Sequence, residues 1–221
     1  MKSLLTLALS LCLLGTAAAQ DRVARVGYLS WRDSGAYYEA TLKGFREGLR
    51  SEGFVEGKNL ELMRRSASND PERFKPLARE LVTAKVDVFF APATPMATAA
   101  WYADNNTPIV IASIMDPVEL KFVNRQAKAI AEFAARQRVP SISGWPEFAH
   151  AGNLMSYGPN RYDFYLDIAK HVDKLLRGGK AADMPVEQPT RFELVVNLKA
   201  AHAIGTTIPQ SLLLRADEVI Q

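Results

Sequence analysis

The chain has 221 residues, 27 Lys and Arg against 24 Asp and Glu, and a formal charge of +3. So small and scattered an excess argues against nucleic acid or an anionic membrane surface as partner. Cys12 is its one cysteine, so no internal disulfide can form, and a chain of this length can bury a sufficient core without one.

The first residues read as an export signal. Lys2 supplies the positive start, "LLTLALSLCLLG" an apolar core too short to span a bilayer comfortably, and Ala17-Ala18-Ala19 a small-residue cleavage site. Cleavage is predicted after Ala19, with a periplasmic destination. "LSLC" is a poor lipobox, because Leu11 is too large before Cys12. The remaining chain of about 200 residues makes one large domain or two small ones.

Residues 24–114 repeat one rhythm. "ARVGYLS" is a short apolar strand. The helix after it carries Tyr38, Leu42, Phe45 and Leu49 on one stripe, with Ser34 as a cap and Gly53 as a stop. "NLELMRRS" alternates like a strand with one wet face. "NDPERFKPLARELVTAK" is a helix with Asp70 at its N-cap, Pro71 first, and Phe74, Leu77, Leu81 and Val82 inward. "VDVFFAPA" is the continuous apolar run of a strand buried on both faces. "TPMATAAWYADNN" is a third helix and "PIVIASI" a fourth strand.

This alternation predicts a parallel, doubly wound α/β sheet. Right-handed crossovers then bring the loops "SWRDSG", "SASND", "PATP" and "MDP" to one edge. That carboxyl edge is where open α/β sheets bind ligands.

From Asn124 the rhythm fails. "NRQAKAIAEFAARQR" is a helix with Ala127, Ile130, Ala131 and Ala134 inward, and "PSIS" a short strand. "DFYLDIAKHVDKLLRGG" is a helix with Phe164, Ile168, Val172 and Leu175 on one face. The tail reads as a strand "RFELVVNL", a helix "KAAHAIG" and a last helix opened by "TIPQSLLLRADEVI". The strands before the tail are too few for a freestanding parallel sheet.

No G-x-G-x-x-G follows the first strand, and neither a phosphate-binding loop nor a G-x-S-x-G elbow occurs. His150, His171 and His202 lack ligand spacing. No enzyme, cofactor or metal is indicated. Asp116 and Glu119 are close carboxylates; Asp116 lies at a strand's carboxyl end, whereas Glu119 reads as a solvated loop residue. Thr94-Pro95 opens a helix after a buried strand and reads equally as an anion site or as an ordinary cap worth about 1 kcal/mol. Trp31, Tyr37 and Tyr38 lie near the first loop, though Tyr38 also fits the core stripe. Trp145, after a strand and before a proline, reads equally as a ligand-facing ring or a packing one.

Several stretches resemble the substrate-binding proteins of ABC transporters: "RVGYLSW", "GFREGLRSEGFVEGKNLEL", "DPVELKFV", "PSISGWPEFAHAGNLMSYGPN" and "QPTRFELVVNLKAAHAIGTTIPQSLLLRADEVI". More narrowly, they resemble the branch that takes up tryptophan and tyrosine; Asn153 stands where that branch usually has glycine. The resemblance implies a periplasmic binding protein-like I fold, in which two α/β lobes close on a small solute, and a membrane permease as partner. Carried over by position, it implies ligand contacts at Ser30, Trp31, Thr94, Met96 and Asp116 in the first lobe, Trp145 and Glu147 in the second, and Tyr157 near a hinge crossing. It also implies that about one small domain's worth of second-lobe units is missing after "DPVELKFV". The expected division is a leader over 1–19, a first lobe over 20–123, a second-lobe remnant over 124–158 and a crossing region over 159–221. The alternative expectation is a binding-deficient relative or a partner-binding lobe.

Overall fold

A computed structural model describes residues 22–112 and 126–221. The leader, the "MDP" loop with Asp116 and Glu119, and the expected helix start at Asn124 lie outside the described residues.

The first sheet contains β1 (Ala24–Ser30), β2 (Leu60–Ser66), β3 (Val88–Ala91) and β4 (Ile109–Ile111). Their order is β2-β1-β3-β4, and every pair is parallel. Central β1 and β3 bury Val26, Tyr28, Leu29, Val88, Phe89 and Phe90 almost completely. Such strands need helices on both faces, and both faces have them. Val26, Tyr28, Val88 and Phe90 pack against α1 (Ala36–Ser51) and, from later in the chain, α6 (Arg161–Leu176). The alternate residues Leu29, Phe89 and Ala91 pack against α2 (Phe74–Thr83) and α3 (Thr94–Ala103). Phe90 is the hub of the first face, stacked on Phe45 at 4.2 Å and on Tyr28 at 5.1 Å between ring centroids.

Local signals hold at some helix ends and fail at others. Asp70 accepts from the Glu72 amide at 3.1 Å and caps the 3-10 turn Pro71–Arg73 that leads into α2. Gly53 follows α1 at φ 94°, where a side chain would strain the backbone. Ser34 does not cap α1; Gly35 occupies the N-cap at φ 115° and the helix begins one residue later than expected.

The second sheet contains β5 (Ile142–Ser143), β6 (Met155–Pro159), β7 (Phe192–Asn197) and β8 (Glu218–Ile220), in the order β5-β6-β7-β8. β5 and β6 are parallel, β7 runs against β6, and β8 is parallel to β7. The tail therefore supplies the strands the middle of the chain lacks, and the sheet is mixed rather than parallel. The last helix is shorter than expected: α8 (Gln210–Leu213) ends before Glu218–Ile220, which becomes the edge strand. Leu194 and Val196 pack with Leu154, Ala201 and Ile208. Asn197 Nδ2 donates to the Ala149 carbonyl at 2.8 Å, tying β7 to α5 (Pro146–His150). α4 (Ala127–Gln137) buries Ala127, Ala131 and Ala134, with Ile130 only partly covered. α7 (Leu198–Ile204) is capped by the Asn197 side chain.

Between the sheets, α6 leaves β6 and packs along α1 with Tyr165, Ile168, Ala169, Val172 and Leu175 inward. Tyr165 holds the leading inward place that the periodicity assigned to Phe164. The helices touch backbone to backbone. A β-carbon on Gly44 would lie 2.6 Å from the Tyr162 carbonyl oxygen, and one on Gly48 2.5 Å from that of Leu166.

Candidate functional site

The carboxyl edge of the first sheet is tightly knit. Ser30 is buried and its hydroxyl donates to the Arg32 carbonyl at 3.0 Å, closing the first loop. The Asn69 amide donates to the Trp31 carbonyl at 2.8 Å, and Arg32 Nε donates to Asn69 Oδ1 at 2.8 Å, joining the first loop to the second. Trp31 is buried edge-on against Phe74, 4.8 Å between centroids, in the α2/α3 core with Met96. Thr94 is exposed, but the cap reading is corrected: Ala93 holds the N-cap, Thr94 opens α3 and makes no capping hydrogen bond. The preceding strand positions the turn one residue earlier than Pro95 suggests.

At the second sheet, β5 and β6 are parallel and end on the same side. Ser143 Oγ donates to the Trp145 carbonyl and accepts from the Trp145 amide, each at 3.2 Å. This fixes Trp145 at the N-cap of α5, half-buried. The Arg161 guanidinium covers its ring, 4.6 Å from the centroid. The same guanidinium forks onto Glu147, Nη1 to Oε1 and Nη2 to Oε2, the latter at 3.2 Å. Asn160 positions Arg161, because its Oδ1 accepts from the Asp163 amide at 2.8 Å and caps α6. Asn160 Nδ2 also donates to Glu193, and Arg191 donates to Asp163 at 2.7 Å, so β7 is bound to the same turn. Tyr157 is exposed and stacks on Phe192 at 5.5 Å.

The path of α6 relates the two edges. Tyr162 lies against Gly44 and Leu166 against Gly48, so α6 runs in the same direction as α1, away from the rim where β1 ends. Tyr165 meets Phe90, the next-to-last residue of β3, edge-on at 6.0 Å. Arg161 lies one turn earlier, about 6 Å further toward that rim. The carboxyl end of β6 thus approaches the first sheet from the side on which β3 ends. Trp145, Glu147 and Arg161 are brought together there; Ser30, Trp31 and Met96 are packed behind the carboxyl rim of the first sheet, and Thr94 stands on it.

Arg161 is the residue the sequence reading missed. Its one signal is a cation in the first turn of a helix, where the dipole disfavours positive charge. Away from both edges, a groove of about 570 Å³ is lined by Lys43, Arg46, Glu47 and Phe54 on the outer side of α1. Among the described residues no group of three or more His, Cys, Asp or Glu side chains could hold a metal ion, and no helix is long and apolar enough to cross a membrane.

A family model described as ABC transporter substrate binding protein matches residues 34–131 and 122–220. The curated tyrosine-binding protein of Clostridioides difficile strain R20291 is 34% identical over 86 residues, 39% of this chain; the match spans 25% of that protein's length. The fold is shared with a conserved domain protein from Vibrio cholerae, at a TM-score of 0.75 and 19% identity over 90% of this chain and 100% of the other. It is shared too with the ligand-free, open form of a substrate binding protein with adhesive properties from Clostridium difficile, at 0.74 and 18% over 90% and 100%. A third is the ABC domain in complex with L-Trp from Streptococcus pneumonia, at 0.74 and 17% over 89% and 99%. With two α/β layers, a parallel doubly wound first sheet and family matches from residue 34 to residue 220, this chain belongs to the ABC transporter substrate-binding protein family.

Proposed function

We propose that the chain is the exported solute-binding component of an ABC uptake transporter and holds an aromatic amino acid between its two sheets, for delivery to a membrane permease. The observation that carries this reading is the gathering of Trp145, Glu147 and Arg161 at the carboxyl ends of β5 and β6, on the side from which α6 enters the first sheet. The tyrosine-binding relative and the L-Trp complex of a structural neighbour support the ligand class. In this reading residues 20–123, with α6 docked on them, form one lobe. Residues 124–158 and the tail strands form the other, and the chain from 159 onward carries the crossings. Thr94 offers a polar contact from the first rim and Trp145 a ring from the second, where Glu147 is paired with Arg161. Ser30, Trp31 and Met96 shape the wall behind, and Tyr157 lies by the hinge.

No covalent chemistry is required. A ligand that touches both lobes favours the closed arrangement by its extra contacts there, and closure is the signal a permease reads. Calorimetric titration of the mature protein with a panel of amino acids tests the reading. Binding of L-tryptophan or L-tyrosine with a negative heat-capacity change supports it; a silent panel refutes it.

One observation favours a second reading, a relative that has lost solute binding and presents its short lobe to a partner. Edge strand β5 has only the residues Ile142–Ser143, and Ile142, Tyr157 and Phe192 are exposed on the same sheet. A silent panel together with self-association or partner capture through that face would favour this reading.

A further inference from the structure

Arg161 is held more firmly than the anion it binds. Its side chain is only 10% exposed, whereas that of Glu147 is 47% exposed. Arg161 belongs to α6, which is locked on the first sheet through Tyr165, Ile168 and Val172. Glu147 belongs to α5, of the residues Pro146–His150, which is tied to the second sheet. The ion pair therefore ties α5 to the first turn of α6, a turn that Glu193 and Arg191 also hold to the second sheet. Trp145 lies under the guanidinium and leaves its edge as the direction of hydrogen bonding. A guanidinium this covered needs an anion at all times, and its planar fork matches a single carboxylate at a time.

We propose that Arg161 is the carboxylate anchor of the binding site and that Glu147 is its stand-in, filling the fork until a ligand's carboxylate displaces it. This rests on the reading that an amino acid binds between the sheets. Glu147 suits the part because it is the exposed member and sits on a short helix. Arg161 suits the opposite part because the fold retains a cation at a helix start against the dipole. Displacement exchanges one carboxylate for another, so the fork is never empty. It also releases Glu147 and the short helix α5 from the first turn of α6 as the ligand arrives.

The test uses the mature protein, with L-tryptophan and its carboxylate-free analogue tryptamine as probes. Arg161→Gln should weaken L-tryptophan by about tenfold to a hundredfold, the size of a lost charge-assisted hydrogen-bond pair. Arg161→Lys, which keeps the charge and loses the fork, should recover part of that loss. Glu147→Gln should tighten L-tryptophan by roughly fivefold, the strength of a partly exposed ion pair. Tryptamine should bind weakly and respond little to Arg161→Gln. An unchanged affinity in Arg161→Gln, or a Glu147→Gln variant that weakens L-tryptophan as much as Arg161→Gln does, overturns the proposal. If the wild-type protein binds neither probe, the amino-acid reading fails by itself, and the anchor is judged by sodium acetate titration followed at the Arg161 Nε–H resonance. Saturation at lower acetate in Glu147→Gln than in the wild type supports the anchor, and no saturating shift in either overturns it.

Discussion

Gly44 of α1 and Tyr162 of α6 meet with no room for a side chain, since a β-carbon on the glycine would stand 2.6 Å from the tyrosine's carbonyl oxygen. Gly48 repeats the notch one turn later against Leu166 and Ala169. This pair of glycines decides how deeply α6 sits and, through it, where Arg161 stands relative to the first rim. Gly44→Ala and Gly48→Ala should each cost about 1–3 kcal/mol of stability by overpacking, beyond any gain in helix propensity. For a domain of this size that lowers the melting midpoint by about 2–4 °C per kcal/mol, which thermal unfolding followed by circular dichroism will read. An unchanged midpoint would mean that the helices can separate without loss.

Two tryptophans predicted from the same kind of evidence have different roles. Trp31 is in the core against Phe74, and Trp145 is half-buried beneath Arg161. Trp31→Ala should cost about 3–5 kcal/mol of stability, as a large core truncation does. Trp145→Ala should cost about 1 kcal/mol or less, mainly a lost cation–π contact, and should remove most ligand binding. Urea unfolding and calorimetry on both variants separate the two. Equal losses of stability would place Trp145 in the core as well.

The Tyr162 hydroxyl donates to Glu47 across the same α1–α6 seam. That hydrogen bond, helped by burial and by the Glu47 charge, raises its pKa above the ordinary 10.0. The stabilisation is complete below pH 10 and is lost as pH rises through the higher folded value. The phenolate absorbance of the wild type should therefore contain a tyrosine titrating later than the rest, absent from Tyr162→Phe. The difference in stability between the two proteins should shrink above pH 10.

Asp104 gives the opposite direction. Hydrogen bonds from the Thr107 hydroxyl and the Asn106 amide hold its pKa below the ordinary 3.8. Its contribution is present above pH 3.8 and disappears as pH falls through the folded value. Asp104→Asn should lose stability at neutral pH relative to the wild type, and the gap should close in strong acid, as urea midpoints across pH will show.

The first sheet is legible in the sequence because its physics is local. β3 is an unbroken apolar run, β1 is one but for exposed Arg25 and its closing Ser30, and the intervening helices carry clear stripes and a proline-opened cap at Asp70. The second sheet is not, because its strands are made by their neighbours. β5 has two residues, β6 ends in Gly158 and Pro159, which disfavour strands on their own, and β8 hides in three residues behind a helical pattern. At the site, position after a strand was enough to single out Trp145. It could not separate Trp31, because the burial of that ring depends on Phe74, more than forty positions along the chain. Arg161 reads as an ordinary surface charge until α6 is seen to turn it onto Trp145 and Glu147.

A solute that bridges the two sheets should draw them together, which small-angle X-ray scattering of the mature protein with and without saturating L-tryptophan will read. A decrease in radius of gyration on adding L-tryptophan, abolished in Trp145→Ala, is the result expected of closure. An unchanged radius under conditions where calorimetry shows the ligand bound would contradict it.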